Sequence, residues 1–140
     1  MNEMHEHIVV KSDSNALKEA EGKLKALLER LNLSDSDEHN LLVATSEAVN
    51  NAISHGNRND PSKNVTLDVH YTEDEVLVTV EDEGGGFNPE SVPDPLAPEN
   101  LLKPSGRGIH IMKSLMDKVD FTFTRSGTRI TMRLKIAKTS

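Results

Sequence analysis

The amino-acid sequence predicts an α+β fold, a two-layer sandwich in which helices pack on one face of a mixed, mostly antiparallel sheet. Two patterns carry the prediction. Val65, Leu67, Val69 and Tyr71, then Val76, Val78 and Val80, alternate as half-buried strands do, while residues 17–31 and 41–53 repeat their apolar positions at helical spacing. The apolar stock is aliphatic as well: 35% of residues are hydrophobic and only 3% aromatic, so the core is built of Leu, Val, Ile, Ala and Met.

Taken in order, residues 5–10 with Ile8, Val9 and Val10 read as a first strand. Ser12, Asp13 and Ser14 offer N-caps to a helix carrying Leu17, Leu24, Leu27, Leu28 and Leu31. Gly22 weakens that helix by about 1 kcal/mol relative to Ala without breaking it. A second capping cluster, residues 34–38, is acidic where a helix start favours negative charge. Its helix runs through Leu41, Leu42, Val49 and Ile53 to a stop at Gly56, a good C-cap residue.

Residues 57–62 form a turn-rich loop, and the two strands that follow are joined across residues 72–75. Residues 87–105 hold Pro89, Pro93, Pro95, Pro98 and Pro104. So long a loop favours a lid, with a passive Pro-stiffened excursion as the alternative. Gly106-Arg107-Gly108 then opens a helix with Ile109, Ile111, Met112, Leu115 and Met116, and residues 119–124 and 128–136 close the chain as a hairpin across Arg125-Ser126-Gly127.

The 140 residues fit one domain, 1–140. With 23 acidic against 16 basic residues, a net charge of -7 and no run of Lys or Arg, a sequence-independent nucleic-acid binder is not expected. No apolar stretch approaches the roughly 20 residues that span a bilayer. The polar N-terminus lacks signal-peptide order, so the expected location is the cytoplasm, without a membrane partner. The absence of cysteine excludes disulfides and thiolate metal sites.

Four short motifs carry chemistry. Glu47 and Asn51 stand four apart on one helix face, with Ser54 a turn further and Leu42, Val49 and Ile53 directed away. A carboxylate and a carboxamide oxygen so stacked suit a hydrated Mg²⁺ and a general base beside it, the alternative being a solvated polar face. Asp82-x-Gly84-x-Gly86 follows the strand of Val76, Val78 and Val80 and offers an acidic acceptor, then backbone without side chains. Gly106-x-Gly108 at a helix start makes an anion cradle, flanked by the cations Lys103 and Arg107, unless it is only a flexible helix entry. Gly127-Thr128 sits at a hairpin turn, where Gly is expected for the turn alone and Thr128 offers a hydroxyl to a base edge. His5 and His7 share a strand face, but with no acidic partner nearby in sequence they read as an exposed pair, and His55 reads as a helix-end residue.

In this order the four motifs resemble those of the GHKL superfamily of ATP-binding domains, which includes gyrase, histidine kinases and MutL. Within it, Ser46-Glu47-Ala48-Val49-x-Asn51-Ala52-Ile53-x-His55-Gly56 and residues 106–117 are similar to the anti-sigma-factor serine/threonine kinases of the RsbW type. The resemblance implies the Bergerat, histidine-kinase-like α/β sandwich with a lid at about 87–105. It implies ATP and Mg²⁺ as cofactors: Asp82 takes the adenine amine with Thr128 helping through a water, Gly84 and Gly86 admit base and ribose, Asn51 holds Mg²⁺, and Gly106 and Gly108, flanked by Lys103 and Arg107, receive the phosphates. Glu47 becomes the general base toward a substrate hydroxyl.

The implied protein substrate is a serine or threonine of a STAS-domain anti-anti-sigma partner, with a sigma factor and a homodimer as further candidates. Two other functions remain open from the residues: a nucleotide-gated regulator-binding module with little turnover, and a catalytic domain serving a separate histidine-kinase body. Against the last, His5 is followed by strand-forming Ile8, Val9 and Val10.

Overall fold

A computed structural model describes residues 3–84, 104–123 and 127–136, and the side chains from residue 108 onward in the helix that begins at 104. The chain runs β1 (Met4–Lys11), α1 (Ala16–Glu29), α2 (Asp35–Asn51), a π-helical turn (Ala52–Gly56), β2 (Asn64–Tyr71), β3 (Glu75–Glu81), α3 (Pro104–Leu115), β4 (Lys118–Phe123) and β5 (Thr128–Lys135). The strands form one sheet in the order β1-β2-β3-β5-β4. Every neighbouring pair is antiparallel, which corrects the expectation of a mixed sheet. The strand before the two helices and the strand after them run in opposite directions, so no parallel crossover is needed.

Register explains why one face is buried. Ile8, Leu67, Val80, Ile130 and Phe121 stand in one row across all five strands, and Val69, Val78, Met132 and Val119 stand in another. Period-two alternation sends these rows to the same side, where Leu24, Leu28, Leu41, Val49 and Met112 of the helices close the core. Glu6 shares that side and reaches Arg30 at 3.4 Å, at the end of α1. The opposite face carries His5, His7, Asp68, His70, Arg129 and Arg133. His7 Nδ1 lies 2.7 Å and His5 Nε2 3.4 Å from Asp68 Oδ1. The acidic partner missing from the local sequence is thus supplied by the neighbouring strand.

Helix starts differ from expectation at two places. Ser34 caps α2 as predicted, its hydroxyl accepting from Asp37 N at 3.1 Å. In contrast, α1 begins at Ala16 after Asn15, and its flanking residue makes no side-chain cap. Ser12 is fully buried instead, bonded by Asn57 from across the molecule. α3 starts at Pro104, two residues earlier than predicted; Pro is tolerated in a first turn because its missing N–H has no helical partner there. Of the segment expected as a lid, residues 87–103 lie outside the described residues, and Pro104 and Ser105 are helical.

No helix among the described residues is long and apolar enough to cross a membrane. A Cβ at Gly22 would meet nothing within 4 Å. Gly22→Ala is therefore expected to stabilise the protein by about 0.5–1 kcal/mol in urea unfolding, through helix propensity and a less flexible unfolded chain.

Candidate nucleotide site

α2 and its π-helical extension form the spine of the site. Glu47 and Asn51 do share a face, and α3 packs against it. A Cβ on Gly108 would stand 2.8 Å from Glu47 Oε2 and 3.5 Å from Asn51 Nδ2. Gly108 is buried, so its missing side chain is what allows the helix to lie on these two polar groups. Among the described residues no cluster of three His, Cys, Asp or Glu forms a metal site. The Asn51 carboxamide lies beside this approach, and an amide oxygen is a ligand type that Mg²⁺ accepts.

Beyond Asn51 the helix widens into the π turn. Asn57 N bonds Ala52 O at 2.8 Å, and Ser54 Oγ turns back to Asn50 O at 2.6 Å rather than extending the Glu47 face. The turn delivers Gly56 to Asp82: a Cβ at Gly56 would collide with the Asp82 carboxylate at Oδ2, and one at Gly84 would collide with Gly56 O. Gly127 approaches from the other side, where a Cβ would strike the Asp82 main-chain carbonyl. Three glycines from three segments therefore close on one aspartate. Gly56, expected as a C-cap, packs instead on Asp82, a contact that sequence reasoning missed although Gly56 closes the motif that begins at Ser46.

Asp82 Oδ1 accepts from Gly84 N and Thr128 N, each at 3.0 Å, while Asp82 N donates to Thr128 O at 3.0 Å. Among the described residues both hydrogen bonds to the carboxylate fall on Oδ1, which leaves Oδ2, against the bare Gly56, to take a donor from outside. Burial raises the Asp82 pKa above the usual carboxylate value; the two N–H donors, and Lys63 at longer range, offset part of the rise. A desolvated acceptor held by its neighbours is what a reader of an amine edge requires.

The predicted residues thus fall into two groups joined by the π turn: Glu47, Asn51 and Gly108 at one end, Asp82, Gly84 and Thr128 at the other. Gly106 is the third residue of α3, where N–H groups lack helical partners, but Gly108 is the fifth, so its N–H pairs within the helix and it serves by close approach instead. Gly86, Lys103 and the Arg107 side chain lie outside the described residues. Leu42, expected to face away from Glu47, borders the same hollow, a space of about 330 Å³ lined by Glu21, Lys25, Leu42, Val43, Ser46 and Glu47. Ser46 Oγ donates to Glu21 Oε2 there at 2.8 Å.

Gly56→Ala is expected to lower adenine-nucleotide affinity about tenfold by pushing Asp82 aside, with a cooperative unfolding transition preserved. Isothermal titration with ATP checks it, and unchanged affinity would remove Gly56 from the site.

The chain is similar to several known proteins. The histidine kinase-like ATPase domain family matches residues 10–134. An anti-sigma F factor of Clostridium perfringens is 34% identical over 140 residues, covering 96% of this chain and 97% of that protein. An anti-sigma F factor of Geobacillus kaustophilus is 34% identical over 142 residues, covering 98% and 94%. Among solved structures, the RsbU and RsbW domains of a Mycobacterium tuberculosis protein superpose with a TM-score of 0.73 at 18% identity, over 98% of this chain and 33% of that one. The histidine kinase domain of a blue-light activated kinase from Erythrobacter litoralis gives 0.57 at 17% identity, over 91% of this chain and 65% of that one. At such identities the two structures speak to the fold alone. The sequence relatives and the family match go further: the chain belongs to the histidine kinase-like ATPase domain family and, within it, to the group of the anti-sigma F factors.

Proposed function

We propose that the protein is an ATP-dependent serine/threonine kinase of the anti-sigma type. In this reading it phosphorylates a STAS-domain anti-anti-sigma partner and, with that partner modified and released, holds a sigma factor. The observation that supports it most is the approach of Gly108 to both Glu47 and Asn51. A pure binding module needs Asn51 and Asp82, but has no use for a carboxylate beside them.

Asp82 accepts the adenine amine, with Thr128 assisting through a water, while Gly84 and Gly86 admit base and ribose. Gly106 N–H, Lys103 and Arg107 receive the phosphates. Mg²⁺ would be held through Asn51 and would supply charge neutralisation at the phosphates. Glu47 takes the proton from a serine or threonine hydroxyl as that oxygen bonds the γ-phosphorus and the bond to the β–γ bridging oxygen breaks, releasing ADP. The hollow between α1 and α2 gives the acceptor side chain an approach to Glu47.

Capture of partners from native lysate with Mg-ATP and with Mg-ADP, followed by phosphosite mapping, tests the reading. A STAS-domain protein with one phosphoserine or phosphothreonine is expected. A Glu47→Ala variant that still switches its partner would replace it with a nucleotide-gated binding module.

A further inference from the structure

Asn57 is 1% exposed, although it stands at the mouth of a turn-rich loop, and its side chain joins three segments. Nδ2 donates to Ser12 Oγ at 2.7 Å and to the Asn64 carbonyl at 2.9 Å, while Oδ1 accepts from Glu83 N at 2.7 Å. The last bond matters most for the site. β3 ends at Glu81, so the next three N–H groups have left the sheet ladder, yet each is held: Asp82 N by Thr128 O, Glu83 N by Asn57, and Gly84 N by Asp82 Oδ1. Glu83 Oε1 adds a tie by accepting from Asn64 N at 2.5 Å. Ser12 is itself fully buried, so the anchor is set in the interior and not in a mobile surface turn.

We propose that Asn57 is a positioning residue, whose buried carboxamide fastens residues 82–84 to the end of the π turn and the start of β2, so that Asp82 stands preset for an adenine base before nucleotide arrives. This rests on Asp82 being the adenine acceptor. A carboxylate on a loose strand end would have to be ordered at each binding event, at a cost taken from affinity. Asn57→Ala removes the acceptor of Glu83 N–H and leaves Asn64 O without its donor, freeing the segment while the contacts made by α2 and α3 to the triphosphate are untouched. Base reading therefore suffers and phosphate binding does not.

The test compares ATP with ITP, whose base carries a carbonyl where adenine carries the amine, by titration against the full chain in the presence of Mg²⁺. Asn57→Ala is expected to reduce the ATP/ITP affinity ratio about tenfold, with ITP affinity within about twofold of wild type. Ser12→Ala breaks the same network away from Glu83 and is expected to lower the unfolding midpoint while keeping the ratio, which separates positioning from general stability. Should Asn57→Ala fail to fold, amide exchange of the wild-type protein without nucleotide decides: Glu83 N–H is expected to be protected, and exchange at the rate of an open loop overturns the proposal. A wild-type ratio in Asn57→Ala, with Asp82→Asn impaired, overturns the positioning role and leaves the adenine reading standing. A wild-type ratio in Asp82→Asn overturns the adenine reading, and the role of Asn57 with it.

Discussion

Asp82→Asn is expected to lower ATP affinity about a hundredfold while the fold survives. Oδ1 of residue 82 must accept from both Gly84 N and Thr128 N, so the substituted amide is held with its carbonyl oxygen on that side. Its NH₂ then occupies the Oδ2 position and presents a donor to the donor of adenine. Loss of a charge-assisted bond and the facing of two donors together account for the size of the effect. Titration of ATP into the variant checks it, and unchanged affinity would refute the assignment.

The same substitution carries a pH signature. Burial raises the folded-state pKa of Asp82 above its unfolded value, so the folded protein binds this proton more tightly than the unfolded chain. Stability contributed by the group therefore falls as pH rises from the ordinary carboxylate range through the raised folded value, and stays at the lower level above it. Asparagine has no such loss. Urea unfolding is expected to show Asp82→Asn gaining on the wild type across that acidic window and holding its gain at neutral pH. A gap independent of pH would contradict the account.

Glu47→Ala is expected to retain ATP and lose phosphotransfer by a factor of about 10²–10⁴, the usual contribution of a positioned general base. The carboxylate lies against Gly108 and borders the hollow between α1 and α2, so it faces both the start of α3 and an opening to solvent. Its removal creates space beside a glycine and takes no acceptor from the adenine end of the site. Single-turnover transfer measured beside ATP titration separates the two effects. Transfer at the wild-type rate would remove Glu47 as the base.

Much of this arrangement was legible in the residues because it depends on local periodicity. The alternation at Val76, Val78 and Val80 places Asp82 just past a strand end, and a spacing of four puts Glu47 and Asn51 on one face of α2. What was not legible depends on contacts between distant segments. Ser12 resembles an N-cap but is buried by Asn57, 45 residues away. Gly56 resembles a helix stop but packs on Asp82, and the π turn that carries it there has no periodic signature in five residues. His5 and His7 find Asp68 only through strand pairing. Pro104 read as part of the loop because proline is equally at home in a loop and in the first turn of a helix.

The most direct test of the central claim is transfer of labelled γ-phosphate from Mg-ATP to a purified STAS-domain partner by the full-length chain. The account predicts a phosphorylated partner whose label survives acid, as a phosphoserine or phosphothreonine ester does, and disappears with Glu47→Ala. A partner that stays unlabelled while ATP remains bound, or a label lost in acid as from phosphohistidine, would contradict it.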